Sequence, residues 1–237
     1  MAREAQQYGQ RLQFLQGEVF APDSRTRWDT WHTNNSSLDD YVGPVKLIDH
    51  PEGVFGVIQH QLEKMEGNAG LDIAGGRSGL AIRRLLRMGL LEKALVTNYR
   101  DRRSIVARLH PALSHVKGDI VTPKPWGQII DWQEAQAPKG LALVMHRPVG
   151  GLQEQSPDFY KGATHLLLDM VRPGGVMFTQ IPRYLRLSDT EEELHALCQS
   201  VSARPDVHQV ICAENRPNAG GVRQAEDCVV IVKHEQL

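Results

Sequence analysis

The segment Gly70-Leu-Asp-Ile-Ala-Gly-Gly-Arg-Ser-Gly-Leu80 runs from apolar residues through a turn of small side chains into a helical pattern. With no bulky Cβ in the way, backbone N–H groups and a helix N-terminus approach a ligand closely, and a nucleotide is the natural occupant. Ala74, Gly75 and Gly76 form the turn, and the carboxylate of Asp72 stands just before it. The same residues also read as Ala74-x-Gly76-x-x-Gly79, a degenerate dinucleotide fingerprint. A second constellation is Met145-His146-Arg147-Pro148-Val149-Gly150-Gly151. A histidine with an ordinary pKa near ~6.5 is mostly neutral at pH 7 and able to take a proton, and an arginine fork can hold a carboxylate or phosphate. The plainer alternative has His146 bonded to backbone at a strand end and Arg147 facing solvent.

These residues need elements to position them. From about residue 70 onward, short β-branched or apolar runs alternate with amphipathic stretches, the pattern of a largely parallel sheet covered on both faces. The strands expected are 70–74, 94–98, 115–120, 141–146, 175–181, 207–214 and 228–233. Helical spacing marks Leu80 to Met88, Ser104 to Leu109, and the stretch holding Trp126, Ile129 and Ile130. A Ser188-x-x-Glu191 capping box opens a helix whose apolar face is Leu194, Leu197, Cys198 and Val201. The last two strands are joined by a turn-rich segment, NRPNAGGVRQ, so that pair should be antiparallel. The fold class is therefore α/β and Rossmann-like, with seven strands, six parallel and one antiparallel at the C-terminal edge, and helices on both faces. Two regions follow: an N-terminal extension over residues 1–53 and the ligand-binding domain over 54–237. In the extension Leu12, Leu15 and Val19 suggest a short helix. Residues 21–50, with Trp28, Trp31, His32 and Tyr41, have no period and read either as a lid over the site or as a surface arm.

Composition narrows the chemistry. The 27 basic and 28 acidic residues balance to a net charge of -1, so no global field favours nucleic acid or an anionic membrane. The runs Arg83-Arg84-Leu-Leu-Arg87 and Arg100-Asp-Arg102-Arg103 read as solvated helix faces. The polar N-terminus and the absence of any apolar run near ~20 residues point to a cytoplasmic protein with no membrane partner. The ten histidines and three cysteines contain neither an HExxH pair nor a CxxC, so no metal is expected. Cys198, Cys212 and Cys228 lie in apolar contexts and read as separate buried thiols.

In its order of motifs the chain resembles the class I S-adenosylmethionine-dependent methyltransferases. Asp72 matches the acid of their first motif and Gly75, Gly76 and Gly79 its loop, with Ala74 and Ser78 where glycine is frequent. Asn98 ends the second strand, where the family usually places an acid for the ribose hydroxyls, and Asp101 is the nearest carboxylate that could replace it. Lys117-Gly118-Asp119-Ile120 resembles the third-strand motif that recognises the adenine amino group. Leu166 to Phe178, with Pro173-Gly174-Gly175, looks like the family's helix, turn and fifth strand.

The resemblance implies S-adenosyl-L-methionine as cofactor, contacted by Asp72, Ala74, Gly75, Gly76, Asn98, Tyr99, Asp119 and Ile120. Asp72 suits the cofactor's ammonium and sulfonium charges and would repel a dinucleotide pyrophosphate. His146 as base and Arg147 as acceptor clamp would stand after the fourth strand. The expected activity is methyl transfer to oxygen or nitrogen of a small-molecule acceptor, and a homo-oligomer stays open. The alternatives are an NAD(P)-dependent oxidoreductase and a non-catalytic methyltransferase-like binding subunit.

Overall fold

Runs such as Leu141-Ala-Leu-Val-Met-His146 and Cys228-Val-Val-Ile-Val-Lys233 lack polar alternation, as strands covered on both faces do. A computed structural model describes residues 2–16, 53–73, 79–99, 101, 103–120, 122–146, 157–181, 190–213 and 227–235. In chain order its elements are α1 (Ala2–Gln16), α2 (Gly53–Glu63), β1 (Ala69–Ile73), α3 (Leu80–Arg87), β2 (Lys93–Asn98), α4 (Ile105–Arg108) and β3 (Leu113–Lys117). There follow α5 (Pro123–Gln136), β4 (Leu141–His146), α6 (Pro157–Leu168), β5 (Val171–Ile181), α7 (Thr190–Ser202), β6 (Val207–Ala213) and β7 (Asp227–Lys233).

All seven strands form one sheet in the order β3-β2-β1-β4-β5-β7-β6. β1 pairs in parallel with β2 and β4, β2 with β3, and β4 with β5. β7 is antiparallel to both β5 and β6, which makes it the one reversed strand among seven. The expected antiparallel hairpin closes that side of the sheet, with β7 its inner member and β6 outermost.

Two apolar layers sandwich the sheet. On one face α1, α5, α6 and α7 cover Leu71, Ile73, Leu95, Val144, Met177 and Val229. On the other, α2 and α3 cover Ala94, Val96, Met145, Phe178 and Val230. α3 shows why the helices seat as they do. Ala81, Ile82 and Leu85 fall on one side and are buried, leaving Arg87 exposed. Gly79 supplies its N-terminal residue at φ 56°, a left-handed conformation that glycine adopts without steric cost.

Four sequence expectations are corrected, and one helix forms as expected but stays exposed. β3 was expected over 115–120 but closes at Lys117, because the Gly118 N–H turns to the Asn98 carbonyl at 3.0 Å; Asp119 and Ile120 leave the sheet as a turn. Pro173-Gly174-Gly175 does not separate helix from strand. α6 ends at Leu168, β5 already starts at Val171, and the glycines absorb a bulge between the Leu141–Val171 and Leu143–Val176 pairs. α1 runs earlier than the Leu12, Leu15, Val19 pattern suggests, because the buried stripe that ends in Leu12 begins with Ala5 and Gly9, small residues that a hydropathy scan overlooks. The apolar spacing of Ser104 to Leu109 does form a helix but does not bury it: Ile105, Val106 and Leu109 are 65–75% exposed and only Ala107 is buried. Finally, Cys198 and Cys212 are not separate thiols. α7 packs on β6 and brings them together as a disulfide with Cα atoms 6.5 Å apart, while Cys228 is a buried thiol outside it.

Trp28, Trp31, His32, Tyr41, Val19 and Ser188 lie outside the described residues. Among those described, no helix is long and apolar enough to cross a membrane.

Candidate functional site

Because β1 to β5 run parallel, Ile73, Asn98, Lys117 and His146 end their strands on one edge of the sheet. In such sheets ligands bind beyond the carboxyl ends of the strands. Of the residues expected there, Asp72, Asn98, Tyr99, Asp119, Ile120 and His146 are described, whereas Ala74, Gly75, Gly76 and Arg147 lie outside the described residues.

Asp72 is fully buried, paired in register with Val96 of β2 and Met145 of β4. Its neighbours Leu71 and Ile73 pack into the α1 and α5 layer, so strand alternation directs Asp72 to the opposite face. Asn98 falls on that same face, two residues beyond Val96. A carboxylate and an amide thus share one face at the ends of adjacent central strands. Tyr99, the next residue, is 45% exposed at the strand end. Asp101, the alternative carboxylate, is already committed. Arg103 grips it with Nε at 2.9 Å and Nη2 at 3.1 Å, and that hydrogen-bonded guanidinium holds its carboxyl well below the usual range.

The third motif forms a braced turn. Gly118 donates to the Asn98 carbonyl, and the Asp119 carbonyl accepts from Thr122 N at 2.9 Å and Thr122 Oγ1 at 2.8 Å. The Ile120 carbonyl accepts from Trp126 Nε1 at 2.6 Å. Asp119 and Ile120 are half-buried. Trp126, fully buried, packs helix against sheet, as expected of it; Trp132 donates to Ser114 Oγ at 2.9 Å.

His146 is 1% exposed, with Nδ1 3.3 Å from Thr179 Oγ1 on β5. Alternation with Met145 puts its ring on the face opposite Asp72. Desolvation by burial lowers its pKa to about 3, so it is neutral throughout the neutral range. Sequence reasoning missed two partners. Thr179 stands out only as a polar residue inside the apolar run Val176-Met-Phe-Thr179. Tyr8, stacked on Trp126 with ring centroids 5.0 Å apart, has no local signature in the N-terminal helix.

The donor set fits an adenosyl-amino-acid cofactor. A buried carboxylate answers an ammonium or sulfonium, an amide can both accept from and donate to ribose hydroxyls, and a braced turn with a carboxylate can meet an adenine amino group. Among the described residues, no group of three or more His, Cys, Asp or Glu is placed to hold a metal ion.

No family model matches the sequence, and no curated protein matches it. Solved structures do match. The plantazolicin methyltransferase BpumL, in complex with a pentazolic desmethylPZN analog and S-adenosylhomocysteine, is 10% identical, with 100% of both chains covered and a TM-score of 0.50. A chain from the complex between the Haloferax volcanii Trm112 methyltransferase activator and a methyltransferase is 12% identical, covering 90% of this chain and 99% of that one, also at TM-score 0.50. With its sheet order, its reversed β7 inserted between β5 and β6, and these structural neighbours, the chain has the class I S-adenosylmethionine-dependent methyltransferase fold.

Proposed function

We propose that this chain is an S-adenosylmethionine-dependent methyltransferase acting at oxygen or nitrogen of a small-molecule acceptor. The observation that carries the reading is Asp72, a fully buried carboxylate at the end of β1 on the same sheet face as Asn98. A buried carboxylate at that edge of the sheet attracts the cationic groups of a ligand strongly, because little water screens it. The BpumL complex, which holds S-adenosylhomocysteine on the same fold, supports the cofactor. The near-zero net charge supports a small acceptor over a polyanion.

Asp72 would hold the cationic amino-acid end of the cofactor, and Asn98 the ribose hydroxyls through an uncharged amide. The backbone of Ala74, Gly75 and Gly76 would allow close approach, while Asp119 and Ile120 would meet the adenine with Tyr99 available to stack on it. Bound there, S-adenosylmethionine supplies a methyl group already activated by its sulfonium. The protein's part is alignment of the acceptor and exclusion of water. Arg147 would hold an acidic group of the acceptor. For His146, burial and the bond to Thr179 support a positioning role at the end of β4 over that of a base. An acceptor that arrives deprotonated needs no base.

Titration calorimetry with S-adenosylhomocysteine, NAD as control and Asp72→Asn beside the wild type tests the reading. Micromolar binding of S-adenosylhomocysteine that the variant loses supports it. Binding of NAD alone would replace it with an oxidoreductase, although a reversed β7 departs from the 3-2-1-4-5-6 order of dinucleotide sheets. Binding of neither would favour a non-catalytic subunit, the second reading, for which Asn98 in place of an acid is the specific support.

A further inference from the structure

We propose that Trp126 is a positioning residue for the nucleoside end of the cofactor, and that α1, through Tyr8, is the backing that keeps it in place. The inference rests on the cofactor reading above, which puts the adenine against Asp119 and Ile120.

β3 stops at Lys117, so the next residues have no strand partner to hold them. Three successive backbone groups are instead pinned by other bonds: Gly118 N to the Asn98 carbonyl at 3.0 Å, the Asp119 carbonyl to Thr122, and the Ile120 carbonyl to Trp126 Nε1 at 2.6 Å. The last is the only one of the three that reaches from within a helix body. An apolar side chain could fill the same core volume. Trp126 adds a buried N–H, which must find an acceptor, and the acceptor it finds is the turn.

The indole is itself held from behind. Tyr8 stacks on it with the ring planes 15° apart. Beside Tyr8, Gly9 lies so close to α5 that a Cβ there would sit 2.4 Å from Pro123 Cα. On the other side, a Cβ at Gly118 would sit 2.4 Å from Pro125 Cγ. The first turn of α5 is therefore wedged between α1 and the adenine turn, and a displacement of α1 is transmitted to Ile120. Residues far from the glycine loop in sequence thus shape the cofactor site. A turn held before ligand arrives lowers the ordering cost of binding, so the role should appear in cofactor affinity and not in turnover at saturation.

Trp126→Phe keeps the ring and removes the N–H, and Thr122→Val removes the hydroxyl bond to Asp119 while keeping the backbone one. Both should weaken S-adenosylhomocysteine binding roughly two- to tenfold, the loss of one hydrogen bond to a partly buried carbonyl, with kcat at saturating cofactor unchanged. Hydrogen exchange should accelerate over residues 118–122 and stay unchanged in β1 and β4. Tyr8→Leu should act in the same direction, more weakly. Wild-type affinity in both Trp126→Phe and Thr122→Val overturns the positioning role, as does exchange that accelerates uniformly across the sheet. If the wild type binds no S-adenosylhomocysteine, the cofactor reading fails and this role with it, while exchange confined to 118–122 would separately record the brace.

Discussion

Acidification offers a test of how His146 is housed. Its ring is 1% exposed, and burial lowers its pKa to about 3, against ~6.5 for histidine in an unfolded chain. Between those values the unfolded chain binds a proton that the folded chain refuses, so stability falls as pH falls. The slope approaches about 1.4 kcal/mol per pH unit for one such group once pH is well below ~6.5, and from pH 7.5 to 4.5 the loss is roughly 3 kcal/mol. That is a large fraction of the ~5–15 kcal/mol that holds a typical domain together. His115 contributes in the same direction. Burial, then the charge of Arg103, lowers its pKa to about 4, but its partial exposure screens the effect. Comparing wild type with His146→Gln removes the His115 contribution, which both share. Urea denaturation at half-unit steps from pH 7.5 to 4.5 should show the wild type losing roughly 3 kcal/mol more than the variant. Parallel curves would refute the burial argument and reopen His146 as a solvent-accessible base. In an activity assay the same housing implies a turnover with no step near pH 6–7 attributable to His146.

Asp72→Asn keeps size and shape but removes the charge. It should lower S-adenosylhomocysteine affinity by at least about tenfold, with the cooperative unfolding transition intact by circular dichroism. Gly9→Ala would drive a Cβ against Pro123 backbone, which cannot rotate away. A loss of about 1–3 kcal/mol, or roughly 2–10 °C in Tm, should be visible in a thermal scan, and an unchanged Tm would mean that α1 and α5 are less closely packed. Thiol titration of the unfolded, unreduced protein should find a single reactive cysteine, Cys228; a count of three would show Cys198 and Cys212 unbonded.

The sheet was legible because buried strands announce themselves. Leu141 to His146 and the C-terminal apolar run mark strands that form, and the apolar spacing of Leu197, Cys198 and Val201 marks the helix before β6. Asp72 was legible as a carboxylate inside the apolar strand context Leu-Asp-Ile, and β1 does bury it there. What stayed hidden depends on distances that local patterns do not encode. The Cys198–Cys212 pairing arises from how α7 seats on β6. The exposure of Ile105, Val106 and Leu109 shows that helical spacing identifies a face without guaranteeing anything to cover it.

α1 shows the same limit in its packing on α5. Its contribution rests on one aromatic and one glycine, Tyr8 and Gly9, in a helix that reads as mostly polar. Division of the chain into an extension over 1–53 and a domain over 54–237 assumes that the first residues do not share the domain's core. Ala5 and Leu12 nevertheless belong to the same apolar layer as Leu71, Trp126 and Val144. Removing residues 1–16 would therefore expose Trp126 and the flank of α5 in addition to shortening the chain. On the proposed cofactor site this packing puts the N-terminal helix behind the adenine turn, so any shortened form of this protein should be judged by its cofactor affinity as well as by its stability.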